Sequence, residues 1–145
     1  MSNKLKYQSS IDLLKLINCP PKNATAKECE AFRFCFDTLD HEETWITQAT
    51  KHERTSTLPR RNVPPKTTCD SFGQSFFISA KNAETTWRAF NARIKERLGY
   101  KHLCGGLIHK NDGLCSAIEK SGHFNLFEYE NCDLGLEFKI IAVLG

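Results

Sequence analysis

His102, Cys104, His109 and Cys115 crowd one short stretch of the chain, and imidazole nitrogens and thiolates are the groups that hold zinc. Their spacing works against a shared ion. With Asp112-Gly113 as the two-residue turn of a hairpin, Cys115 faces Lys110 and Cys104 lies several residues up the ladder. At about 3.3 Å per strand residue, the two thiols then stand roughly 20 Å apart. None of the seven cysteines forms a Cys-x-x-Cys pair, the spacing of redox motifs and zinc ribbons. The reading is therefore against zinc.

Nucleophilic and proton-transfer chemistry have their own candidates. Cys69 stands beside Asp70, and a thiolate attacks when a base or a cationic neighbour activates it, a part open to His102 or His123. The surrounding residues carry no cysteine-hydrolase signature. His123 follows Gly122 on a segment whose alternation sets His123, Asn125, Phe127 and Tyr129 on one face and Phe124, Leu126 and Glu128 on the other. If Phe124 and Leu126 face the core, His123 and Asn125 line a polar surface where an imidazole can move protons.

The elements that must position these groups follow from the apolar pattern. A first helix begins near Ser9 or Ser10, carries Ile11, Leu13, Leu14, Leu16 and Ile17, and stops at Pro20-Pro21. Phe32, Phe34 and Phe36 alternate, so one strand face is aromatic and Arg33 points the other way, toward solvent. Asp40 and Glu43 have the spacing of a capping box ahead of a second short helix through Trp45, Ile46 and Ala49. Ser75 to Ser79 reads as a short strand. Ser79 then caps one long helix over 80–98, whose stripe is Ala83, Trp87, Phe90, Ile94 and Leu98, with Gly99 as its stop. Beyond it, 102–108 and 114–118 flank the Asn111-Asp112-Gly113 turn, and 122–129 and 137–144 read as further strands. The expected fold is α+β: a mainly antiparallel sheet of about four to five strands packed on the long helix, with two shorter helices at its edge.

Composition bounds the rest. The 145 residues suit one domain spanning 1–145, and 40% hydrophobic with 26% charged residues is an ordinary globular mixture. A formal charge of +3 implies nucleic acid only if it is clustered. The cluster on offer is the proline-containing segment 51–68, with Arg54, Arg60, Arg61 and Lys66. It lacks aromatic residues among those charges, so base stacking has no platform there. No apolar run is long enough to span a membrane, and no apolar region follows the basic N-terminus as in a secretory signal. The reading is a cytoplasmic protein with no membrane contact, whose cysteines are reduced and mostly core.

Two resemblances add to this. Arg33 between aromatics on an early strand, Ser75 to Ser79 running into a helix, and Glu128 in Phe127-Glu128-Tyr129-Glu130 together resemble the order found in ADP-ribosyltransferase-type folds. That resemblance implies NAD as cofactor. Arg33 would hold its pyrophosphate, Ser75 or Ser79 would shape the nicotinamide pocket, and Glu128 or Glu130 would bind ribose. The segments Phe32-Arg33-Phe34, then Cys69, Gly73, Ser75 and Phe77, and finally Gly122, His123, Phe124 and Leu126 also resemble small bacterial proteins of unassigned function. Three functions are expected in this order. The first is a binding or accessory domain acting through a protein partner, favoured because no convergent acid–base signature is visible. The second is an NAD- or nucleotide-handling enzyme using Arg33, Ser75, Ser79, Glu128 and His123. The third is a nucleic-acid contact through Arg54, Arg60, Arg61 and Lys66.

Overall fold

The computed structural model of the chain describes residues 4–36, 38, 42–45, 47 and 69–145. Six strands form one sheet: β1 (Cys29–Cys35), β2 (Gln74–Phe77), β3 (His102–Ile108), β4 (Gly113–Cys115), β5 (His123–Glu128) and β6 (Phe138–Val143). Their spatial order is β4-β5-β2-β1-β3-β6, and every neighbouring pair is antiparallel. Helices α1 (Gln8–Leu13), α2 (Ala80–Ala89) and α3 (Ala92–Leu98) complete the architecture, with 3-10 turns at Glu42–Trp45, Cys69–Phe72 and Leu134–Leu136. The α+β class and the antiparallel sheet stand as expected; the sheet has six strands rather than four or five.

The long helix is two helices. Phe90 leaves the helical region with ψ 138°, and Asn91 opens the next helix by accepting a hydrogen bond from the Ile94 backbone N–H at 2.9 Å. Asparagine is a preferred N-cap, so the chain restarts there instead of continuing the stripe. Only Ala83 and Trp87 of that stripe are buried. Gly99 does end α3, with φ 72°. Of the stretch expected to form the second short helix, Glu42–Trp45 is described and is a 3-10 turn; Asp40, Ile46 and Ala49 lie outside the described residues.

The turn at Asn111-Asp112-Gly113 does not close a hairpin. β3 pairs with β1 and β6, and β4 pairs with β5. A two-residue turn was the wrong inference because the better apolar partner for β3 is the Phe-rich β1, paired with it over all seven positions. The hairpin that forms is β4 with β5, extended by Ser116 N–H to the Asn125 carbonyl and Glu119 N–H to the His123 carbonyl.

The sheet has two buried faces. On one, α2 covers Phe32, Phe34, Phe77 and Leu103. The other holds the larger core, with Ala31, Cys35, Phe76, Cys104, Phe124, Leu126 and Phe138, closed by Trp45 and the 132–134 segment. Arg33 therefore points into a core and not into solvent. A third cluster joins Ile11 of α1 to Phe72, with Tyr7, Leu16 and Cys19 beside it.

Cys19 and Cys69 are joined as a disulfide, which corrects the expectation of uniformly reduced cysteines and removes Cys69 as a free nucleophile. Cys29, Cys35, Cys104, Cys115 and Cys132 are free thiols. The bond spans a sequence separation of 50 and ties the segment after α1 to the 3-10 turn that precedes β2. Closing a loop of that size restrains the unfolded chain by about 4 kcal/mol in the chain-entropy account. Cys19→Ser should lower the free energy of unfolding by about 3 kcal/mol in urea titrations without reductant. An unchanged midpoint would show that the two sulfurs are not bonded in solution.

Candidate functional site

β1 and β2 are in register at a single pair, Phe32 opposite Phe77. β1 is meanwhile held by β3 along its full length, and β2 by β5 along its own. Past the Phe32–Phe77 pair the two strands part. The gap is a cavity of about 350 Å³ that collects side chains from both faces of the sheet: Arg33 and Gln74 from one, Phe34, Ser75, Phe77 and His123 from the other. Phe90, Leu98 and Tyr100 close its apolar wall. The helix break explains two of these, because Phe90 and Leu98 would have been core residues of one continuous stripe.

Two polar chains meet at the cavity. The first is buried. Arg33 is 6% exposed and donates from Nη1 to Gln74 Oε1 at 2.5 Å. Its guanidinium carbon lies 5.4 Å from the ring centroids of both Trp45 and Phe76. Gln74 Nε2 donates to the Trp45 carbonyl and, at 2.9 Å, to Glu128 Oε1. Glu128 Oε2 accepts from Lys6 Nζ at 2.7 Å, and Lys6 also donates to the Cys132 carbonyl at 3.2 Å. Lys6 arrives because Leu5 bridges Tyr129, extending the sheet past β5. Arg33 Nε has no hydrogen-bond partner, and Arg33 has no ion-pair partner among the described residues. Burial pushes the Arg33 guanidinium pKa down. Burial also works against the Lys6 charge, but pairing with Glu128 outweighs it and leaves Lys6 above its ordinary value of 10.5.

The second chain lies on the α2 face. Ser75 stands opposite Asn125 and Phe77 opposite His123, so Ser75 and His123 are diagonal neighbours on adjacent strands. Ser75 Oγ is 2.6 Å from His123 Nε2. On the other side of the ring, His123 Nδ1 lies 3.3 Å from Glu119 Oε2. The turn between them depends on Gly122, whose φ is 82° and whose position would drive a Cβ to 2.5 Å from Asn82.

The structure thus brings Arg33, Ser75 and His123 into one cavity. Glu128 sits on the buried face at 3% exposure, joined to the cavity through Gln74. Ser79 caps α2, accepting from the Asn82 N–H at 3.0 Å, and does not line the cavity. Glu130 pairs with Lys4 at the surface. His102, Cys104, His109 and Cys115 do not gather: β3 and β4 are separated by three strands, and no metal-binding group of three occurs among the described residues. Arg54, Arg60, Arg61 and Lys66 lie outside the described residues, as does the whole of 51–68. No helix among the described residues is long and apolar enough to cross a membrane.

Sequence reasoning missed Gln74, Lys6 and Glu119. Glu119 had a usable signal, since it lies one turn-length before His123 with a glycine between. Compared with protein-family models, curated proteins and solved structures, the chain matches none.

Two thiol pairs flank the core. Cys29 has Cys115 as its thiol neighbour and Cys35 has Cys104, and the Cys115 thiol lowers Cys29 to about 7 despite its partial burial. Cys104, Cys115 and Cys132 are pushed well up, the first two chiefly by their thiol neighbours and Cys132 by burial. Iodoacetamide should alkylate Cys29 first in the native protein, its rate rising through about pH 7. Preferential labelling of Cys104 or Cys132 on peptide mapping would contradict this arrangement.

Lys6→Met leaves the Glu128 carboxylate buried with Gln74 alone. Breaking a buried pair costs about 3–5 kcal/mol, and the partial exposure of Lys6 reduces that to about 2 kcal/mol. The pair's contribution is fully present below 10.5 and fades as pH rises through the higher folded value of Lys6. Urea midpoints should therefore fall at alkaline pH in the native chain and lose that component in Lys6→Met.

Proposed function

We propose that the chain binds a small organic anion, one with an apolar or aromatic body, in the cleft between β1 and β2. The observation that carries this reading is the Arg33 guanidinium. It is buried beside the cavity with one amide oxygen as acceptor and a free Nε. Isolating a cation from water costs several kcal/mol unless paired charges and hydrogen bonds compensate. A carboxylate or phosphate entering the cleft supplies both, because two oxygens match the guanidinium fork. Phe34, Phe77, Phe90 and Leu98 supply the apolar wall, and about 350 Å³ is near the small end of ligand sites.

The nucleotide-handling alternative has one support, the shared placement of Arg33 and Ser75. Against a ribose-binding role, Glu128 is already engaged by Gln74 and Lys6 and would have to exchange partners.

Thermal unfolding should be followed with 4-hydroxybenzoate, phenyl phosphate, AMP and NAD. A ligand at a hundred times its dissociation constant stabilises the fold by about 2.7 kcal/mol, a readily measured shift. Compact aromatic anions should raise the melting temperature and their neutral amides should not. Arg33→Met replaces a buried cation that has no ion-pair partner among the described residues with an apolar side chain and should fold, yet lose the response. Equal shifts in the native and Arg33→Met proteins, or none with any anion, would remove this reading.

A further inference from the structure

We propose that Ser75, His123 and Glu119 form a nucleophilic relay that hydrolyses aryl esters of short carboxylic acids. The anionic group assigned to the substrate rests on the anion-binding reading above; the relay itself does not.

The geometry has the two contacts of a hydroxyl–imidazole–carboxylate relay. Ser75 is a hydroxyl at the cavity wall, with His123 Nε2 at 2.6 Å from its Oγ. Glu119 faces His123 Nδ1 at 3.3 Å and favours the tautomer with the proton on Nδ1, leaving Nε2 to accept from serine. The imidazole is also held sterically, its ring meeting the Phe77 ring at 5.6 Å between centroids and 69° between planes. Two strands in fixed register carry Ser75 and His123, so their separation does not depend on a loop. Glu119 is largely exposed and acts as a positioning residue.

In the step proposed, Ser75 Oγ attacks the ester carbonyl carbon as its proton passes to His123 Nε2. The tetrahedral intermediate collapses, the C–O bond to the aryl group breaks, and the departing phenolate takes the proton from imidazolium. Water then adds to the acyl-serine with His123 again as base, releasing the carboxylic acid and restoring Ser75. A phenolate leaves readily, and the aromatic wall of Phe34, Phe77 and Phe90 suits an aryl ring. Arg33 would receive a carboxylate on that ring. A compact molecule with all these parts is 4-acetoxybenzoate.

Diisopropyl fluorophosphate tests the relay without requiring an anionic group: a P–O bond forms at Ser75, the P–F bond breaks, and fluoride departs. Native protein should gain one diisopropylphosphoryl group, mapped to Ser75, and His123→Asn should lose this labelling by about a hundredfold or more. Hydrolysis of 4-acetoxybenzoate should disappear in Ser75→Ala, while Glu119→Gln should lower kcat about tenfold with little change in KM. Arg33→Met should reduce the preference for 4-acetoxybenzoate over phenyl acetate, measured as the ratio of kcat/KM values. No phosphorylation of Ser75, or equal labelling in His123→Asn, would overturn the relay even if anions still raised the melting temperature. Labelled Ser75 with an unaltered substrate preference in Arg33→Met would uphold the relay and reject the anion site.

Discussion

A guanidinium confined between Trp45 and Phe76, with Gln74 as its hydrogen-bonding neighbour, is the constraint on which this fold turns. Arg33 belongs to the middle of the sheet, where it is 6% exposed and faces the cavity. The chain answers with a relay of polar groups that crosses the buried face from β1 through β2 to β5 and reaches Lys6 near the N-terminus. Two cations and one carboxylate share that line. Among the described residues its charges do not cancel, and the surplus is at the Arg33 end, next to the cavity. A core assembled for stability alone would more simply place apolar side chains there, since buried ionic groups seldom outperform them.

The same network explains why β1 and β2 meet so briefly. Gln74 spends its amide on Glu128 and the Trp45 carbonyl, while its oxygen accepts from Arg33. The two bonds from the amide nitrogen draw the start of β2 toward β5 and the Trp45 segment, while the amide oxygen stays tied to β1 through Arg33. Phe34, on the opposite face, packs against Phe77, Trp87, Phe90 and Tyr100, with centroids 5.1–6.3 Å apart. Aromatic packing on one side and amide bonding on the other leave the Phe32–Phe77 pair as the hinge line of the cleft.

What could be read from the chain was set by local periodicity. The Phe32-Phe34 alternation, the Ser79 cap and the Gly99 stop are encoded within a few residues, and each appears in the fold. Strand neighbours are not encoded that way. The hairpin inferred at Asp112-Gly113 failed because a turn signal says where the chain bends and not which strand it will join. Arg33 was misplaced for a related reason: alternation assigns it a face, but whether that face is wet depends on Trp45, outside the strand, and on 132–134, far along the chain. Ser75 and His123 were each legible as chemical residues. Their pairing required the β2–β5 register, and Glu119 gained a role only through the turn at Gly122.

Gln74 and Ser75 are consecutive, which makes the two chemistries of the cavity inseparable. In a strand, successive side chains point to opposite faces, so Gln74 reaches Arg33 beneath the sheet while Ser75 reaches His123 above it. A slip of one residue would put Ser75 into the buried cationic line and Gln74 beneath α2, defeating both. Register is pinned on both faces of the sheet by ring contacts, Phe76 against Phe124 and Phe77 against His123. An oxygen or nitrogen on either face thus inherits its position from the other. That coupling turns the opening between β1 and β2 from a packing fault into a place where an anion-recognising group and a nucleophile can address the same molecule.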